Sequence, residues 1–169
     1  DLMRMGDEGV PTIEEYLLDA LPEHAVLGFD GRVMNTAMVE KLESVLQARG
    51  AKISCDMDLV GEIWTTRPAF PATQTFELDV KYTGKSAGEK LAEVRKAMQA
   101  EGADTHIITR VDDIAWLLNM RADDVPCFPV ALCYAIIYAD DAVLYIHADR
   151  LSDDLKQTFA QIGVRTADY

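Results

Sequence analysis

Ile13, Tyr16, Leu17 and Leu21 recur at helical spacing behind Thr12 and Glu15, a capping-box pair, and Pro22 stops the run, which predicts a helix over residues 12–22. Residues 25–29 form a short apolar run of strand length. Asn35 or Thr36 can cap a second helix with the stripe Val39, Leu42, Val45 and Leu46; Gly50 ends it, and residues 52–55 return as a strand. From residue 65 to 84 the periodicity fails. Arg67-Pro68-Ala69-Phe70-Pro71 can continue neither a helix nor a central strand, so this segment reads as an interdomain connector.

Ser86 with Glu89 opens the next helix, which carries Leu91, Val94 and Met98 and closes on Gly102. Residues 107–109 form a strand, and Asp112-Asp113 begin a helix through Met120, where the macrodipole favours negative charge. Residues 129–138 are the most hydrophobic stretch, with the length and branching of a central strand buried on both faces. Asp140-Asp141 turn it into a hairpin with residues 143–147. Ser152 caps a last helix with Leu155, Phe159 and Ile162 on one face, and residues 164–166 make a final strand. Helices alternating with short apolar strands indicate an α/β chain, and its second half suggests a repeat of a pattern whose front is cut away from the first.

At 169 residues the chain holds one domain, or one domain and part of another. Its formal net charge of −13 would repel phosphate backbones and anionic lipid, which argues against nucleic acid and membrane partners. The charge is spread, −7 up to residue 70 and −6 beyond it, so it describes a solvated surface rather than an acidic tail. Cys55, Cys127 and Cys133 form no C-x-x-C pair, which fits a reducing, cytoplasmic setting. No apolar run approaches the ~18 residues of a bilayer span. The chain opens on Asp1 without a signal sequence, and its first element begins only near Thr12, as expected of a piece of something longer.

The sequence contains no H-E-x-x-H, G-x-S-x-G, P-loop or G-x-G-x-x-G motif. His24, His106 and His147 lack the paired spacing of metal ligands. Of the acidic doublets, Asp112-Asp113 and Asp153-Asp154 fall at helix starts and Asp140-Asp141 at a turn, where carboxylates satisfy free backbone N–H groups. Asp123-Asp124 is different, because it lies with Arg121 and Pro126 in a loop between a helix and a buried strand, a common place for function. Trp116, among Ile114, Ala115, Leu117 and Leu118, reads as core, and Cys133 as an inert small hydrophobe inside the buried strand.

Several ordered runs resemble one family. Asp58-Leu59-Val60-Gly61-Glu62-Ile63-Trp64, followed by Arg67-Pro68, Pro71, Tyr82-Thr83-Gly84 and Glu89-Lys90-Leu91, is similar to the junction between the two N-terminal domains of three-domain Xaa-Pro aminopeptidases (aminopeptidase P, creatinase/prolidase superfamily). Asp112-Asp113-Ile114-Ala115-Trp116-Leu117-Leu118-Asn119, with Arg121, Asp124, Pro129-Val130 and Tyr134-Ala135, resembles the second of those domains.

The resemblance implies a creatinase/prolidase N-terminal fold, an α/β ribonuclease-H-like mixed sheet with flanking helices. Residues 1–64 would be the C-terminal part of the first such domain, 65–77 a connector and 78–169 the second. It further implies a non-catalytic region of a cytoplasmic, dimeric metallo-aminopeptidase that removes the first residue from peptides with proline second. The two divalent metal ions, manganese or zinc, would belong to a catalytic pita-bread domain further along the same chain. Arg121 matches the Arg of the family's Arg-Gly motif; its guanidinium is expected either to draw the peptide's carboxylate end or to pair with Asp124 and hold the loop. The family's Arg-Gly, Asn-Pro-Val and Ser-Tyr-Ala are here Arg121-Ala122, Phe128-Pro129-Val130 and Cys133-Tyr134-Ala135. Losing two polar side chains gives some weight to an alternative, a stand-alone interaction module without peptidase activity.

Overall fold

The computed structural model describes residues 2–169; Asp1, where the sequence reading starts the first domain, lies outside them. The chain divides into two compact units, Asp1–Pro68 and Ala69–Tyr169.

In the first unit the Thr12 hydroxyl accepts the Glu15 N–H at 3.2 Å, and the Glu15 carboxylate accepts the Thr12 N–H at 2.8 Å, which starts α1, Ile13–Ala20. β1, Val26–Gly28, is followed by α2, Thr36–Gln47, whose first turn is capped by the Asn35 side chain and whose stripe buries Leu42 and Leu46. β2, Lys52–Ser54, returns parallel to β1 with Leu27 opposite Ile53, so α2 is the crossover a parallel pair requires. Gly50 makes the turn between α2 and β2 at φ +64°, a conformation that favours glycine, and a Cβ there would stand 2.6 Å from His24 Nδ1 and force that ring to move. α3, Leu59–Ile63, was not foreseen; the Asp58 carboxylate caps it by accepting the Gly61 N–H at 2.7 Å. Asp58 also meets Arg67 at 2.5 Å and Arg32 at 3.5 Å. Hydrogen bonds from the Arg32 guanidinium, then from its backbone N–H, hold the Asp30 carboxyl down to about 2.

The second unit begins with β3, Phe76–Glu77, and α4, Val80–Thr83. The Ser86–Glu89 capping box then opens α5, Ala87–Ala100. β4, Thr105–Ile108, leads into α6, Val111–Leu117, and β5, Met120–Arg121. β6, Tyr134–Tyr138, and β7, Ala142–Tyr145, form the expected hairpin. A 3-10 turn, Ala148–Arg150, precedes α7, Asp153–Gln161, capped by Ser152, and β8, Val164–Ala167, closes the order. The main sheet runs β4-β6-β7-β8, antiparallel except for the parallel β7–β8 pair, and β3 with β5 forms a separate antiparallel ribbon. Leu91 and Met98 of α5, Ile114 and Leu117 of α6, and Leu155 and Phe159 of α7 pack with Ala135, Ile137, Leu144 and Val164 in one core. Each of its larger side chains contributes roughly 1.5–3 kcal/mol by leaving water. This mixed sheet with helices is the α/β class expected.

One sequence expectation changes. Residues 129–138 are not one strand buried on both faces. Only Tyr134–Tyr138 pairs, with Ala135 and Ile137 buried while Tyr134 is exposed and Ile136 and Tyr138 are half-buried. In the stretch before it the Leu132 N–H donates to the Asp124 carboxylate at 2.7 Å and the Val130 N–H to the Phe128 carbonyl at 2.8 Å, so these amides are not free for a ladder. Of the segment 65–77 read as a connector, 65–68 lie in the first unit and 69–77 in the second. Pro68 and Pro71 forbid helix there, yet the Thr75 N–H and hydroxyl both donate to the Arg150 carbonyl, at 2.9 and 2.8 Å. Side-chain and backbone bonds of this kind leave no periodic trace in a sequence.

Candidate functional site

Two buried polar constellations lie in the second unit. The first joins Arg150 to Asp124, with side chains 1% and 0% exposed. Arg150 Nη2 donates to Asp124 Oδ2, its Nε to the Thr73 carbonyl at 3.2 Å and its Nη1 to the Leu132 carbonyl at 3.4 Å. The Thr73 hydroxyl donates to Asp124 Oδ1 at 2.5 Å and accepts the Asp123 N–H at 3.1 Å. Burial pushes the Asp124 carboxyl up, but the bonds from Thr73, the Leu132 N–H and Arg150 outweigh it and leave the group below its ordinary value. Three chain segments are thereby tied together.

The second constellation surrounds the end of α6. Lys90 is 1% exposed, and its ammonium donates to the Trp116 carbonyl and to Asn119 Oδ1, both at 2.6 Å, with the Trp116 ring centroid 4.5 Å away. Asn119, fully buried at φ +52°, donates its Nδ2 to the Lys85 carbonyl at 2.9 Å, and its own carbonyl accepts the Leu78 N–H at 2.7 Å. Half-buried Arg121 donates Nη1 to the Ala115 carbonyl at 2.5 Å and the Met120 carbonyl at 2.9 Å. Both cations therefore sit on carbonyls at the negative end of α6. Burial, then the charges of Arg121 and Lys85, lowers the Lys90 pKa.

Arg121 thus stands on backbone carbonyls and not on Asp124, whose carboxylate is taken by Arg150 and Thr73; the expected local pair does not form. Trp116 is not core either. Its neighbours Ile114, Ala115, Leu117 and Leu118 turn inward, while its own ring, 52% exposed, covers the Lys90 ammonium. Cys133 is buried just ahead of β6, where burial pushes its thiol up to about 12. Asp112 pairs with Arg110, and Asp141 with Arg165. Among the described residues no group of three or more His, Cys, Asp or Glu side chains converges to hold a metal ion, and no helix is long and apolar enough to cross a membrane.

Lys90, Asn119 and Arg150 carried no assignment from sequence. For Lys90 a signal existed, since it lies on the α5 stripe formed by Ala87, Leu91, Val94 and Met98, where a lysine must find partners. Arg150 offered none, because its acceptors come from segments remote in the chain.

Residues 66–169 match the family described as Creatinase/Prolidase N-terminal domain. A probable Xaa-Pro aminopeptidase P of Sordaria macrospora is 33% identical over 99% of this chain, which covers 28% of that relative. Aminopeptidase P1 of Arabidopsis thaliana is 31% identical over 99% of this chain and 26% of its own length. The crystal structure of X-prolyl aminopeptidase from Caenorhabditis elegans, described as a cytosolic enzyme with a di-nuclear active site, superposes with a TM-score of 0.90 at 28% identity. That likeness covers 100% of this chain and 28% of the worm enzyme, so the chain spans about a quarter of the length of the relatives it matches. On this match, which takes in the whole second unit, the chain belongs to the creatinase/prolidase N-terminal domain family.

Proposed function

We propose that this chain is the non-catalytic N-terminal region of a cytoplasmic, homodimeric metallo-aminopeptidase that removes the first residue from peptides with proline second. The observation that supports this most directly is likeness along 99% of the chain to Xaa-Pro aminopeptidases of which it spans only about a quarter. The first unit is the back part of one creatinase-type domain and residues 78–169 are a second. Their partner is a catalytic pita-bread domain of the same polypeptide, and their task is to wall its cleft, restrict peptide length and contribute subunit contacts. The di-nuclear active site of the worm enzyme supports two divalent ions, manganese or zinc, in that further domain, where they would activate water and polarise the scissile carbonyl. No step of that chemistry falls on this chain.

Arg121 is the residue assigned to substrate, since its Nε and Nη2 make no hydrogen bond among the described residues. In the full-length enzyme, Arg121→Ala should lower kcat/KM toward Xaa-Pro peptides about tenfold, or 1.4 kcal/mol of transition-state binding, with the melting temperature nearly unchanged. Unchanged kinetics, or a loss of activity that follows a loss of stability, would make Arg121 structural. A full-length parent without aminopeptidase activity would favour the stand-alone module.

A further inference from the structure

We infer that Arg121, backed by Lys90 and flanked by Phe76, forms a carboxylate-binding site in the second unit. The inference rests on the assignment of Arg121 to substrate and deepens it by adding the second charge, Lys90, and the apolar neighbour, Phe76, that would select the peptide end.

The argument rests on unbalanced charge. Among the described residues no carboxylate lies within ion-pair distance of Lys90 or Arg121, and neighbouring Lys85 is taken by Glu93 at 2.5 Å. The two cations rest on neighbouring carbonyls at the end of α6, Lys90 on that of Trp116 and Arg121 on that of Ala115, and a helix end presents only about half an elementary negative charge against two full positive ones. A cationic excess of this kind is unusual in a chain of net charge −13. An anion from outside would balance it.

The division of labour follows from hydrogen bonding. Lys90 spends its ammonium on the Trp116 carbonyl, Asn119 Oδ1 and the indole face, so it cannot turn toward a ligand and acts through its charge from behind. Arg121 uses only Nη1, and the Nε–Nη2 edge left to it matches the two oxygens of one carboxylate. Phe76 stands directly opposite Arg121 in the β3–β5 ribbon, so both side chains leave on the same face, and Phe76 is 51% exposed. The Trp116 ring, 52% exposed, covers the Lys90 ammonium and so reports on that charge. A guanidinium edge beside an exposed phenylalanine suits the carboxylate of a peptide whose last side chain is apolar.

The test uses this chain labelled with 15N and titrated at constant ionic strength with sodium acetate, with Ala-Pro-Phe, and with the C-terminal amide of Ala-Pro-Phe. The readouts are the Arg121 Nε–H and Trp116 indole N–H signals. Acetate and the free tripeptide should shift both signals saturably, the tripeptide more tightly, and the amide should bind about tenfold more weakly than the free acid. Arg121→Gln should remove saturation, and Lys90→Met should weaken binding about three- to tenfold as the second positive charge is lost. Shifts that stay linear, or that persist equally in Arg121→Gln, would overturn the site. Undiminished binding in a folded Lys90→Met variant would overturn the role of Lys90; if that variant does not fold, Arg121→Gln decides. Saturation by acetate with no preference for the free tripeptide over its amide would uphold the carboxylate site and dismiss the peptide assignment of Arg121.

Discussion

Arg150 and Asp124 meet as an ion pair from which water is almost wholly excluded. Removing one partner strands the other charge in a medium that cannot solvate it, so Asp124→Asn should cost the second unit about 3–5 kcal/mol. Urea unfolding followed by circular dichroism measures this. A loss below about 1 kcal/mol would mean that the Thr73 and Leu132 carbonyls satisfy the guanidinium unaided.

Acid should act through the same carboxylate. Asp124 is held below its ordinary value when folded, so the unfolded chain binds its proton first as pH falls. The stability it contributes is complete above the unfolded value of about 3.9 and disappears as pH drops through the lower folded value. Urea midpoints at pH 7, 4, 3 and 2 should fall steeply below pH 4 in the wild type and more gently in Asp124→Asn. Parallel curves would show that other carboxylates govern the acid limb.

Thiol chemistry provides an independent check on burial. Cys55 and Cys127 are exposed, whereas Cys133 is buried, bonds the Ala131 carbonyl at 3.4 Å and has its thiol pushed up to about 12. The thiolate is the reacting species, so iodoacetamide at pH 8 should modify Cys55 and Cys127 and spare Cys133 until denaturant is added. Mass spectrometry of the peptides reports it, and early labelling of Cys133 would contradict the packing ahead of β6.

Local signals carried most of the fold. Thr12 with Glu15, Asn35, Ser86 with Glu89, and Ser152 each cap the helix expected of them, because a cap is chemistry within three residues. β3 and β5 were missed because two-residue strands exist only by virtue of each other, and Phe76 lies 45 positions from its partner Arg121. The over-long strand at residues 129–138 failed for a similar reason, since composition cannot show that Asp124 claims the Leu132 amide. At the site, Arg121 was legible through its motif. The buried lysine beneath Trp116 was legible only as an anomaly on an apolar stripe, and Arg150 not at all.

The Thr75 bonds to the Arg150 carbonyl close a loop of 75 residues, and that separation governs timing as much as strength. Ordering such a loop costs about 4 kcal/mol of chain entropy before its contacts return anything, so the closure belongs after the hairpin β6–β7 and the neighbouring helices have formed. A latch that forms last is absent from the folding transition state. Weakening it should accelerate unfolding and leave the refolding rate unchanged, so the two arms of a chevron for Thr75→Val should separate on the unfolding side alone. The latch then sets how long the folded unit persists, while its rate of assembly is decided elsewhere.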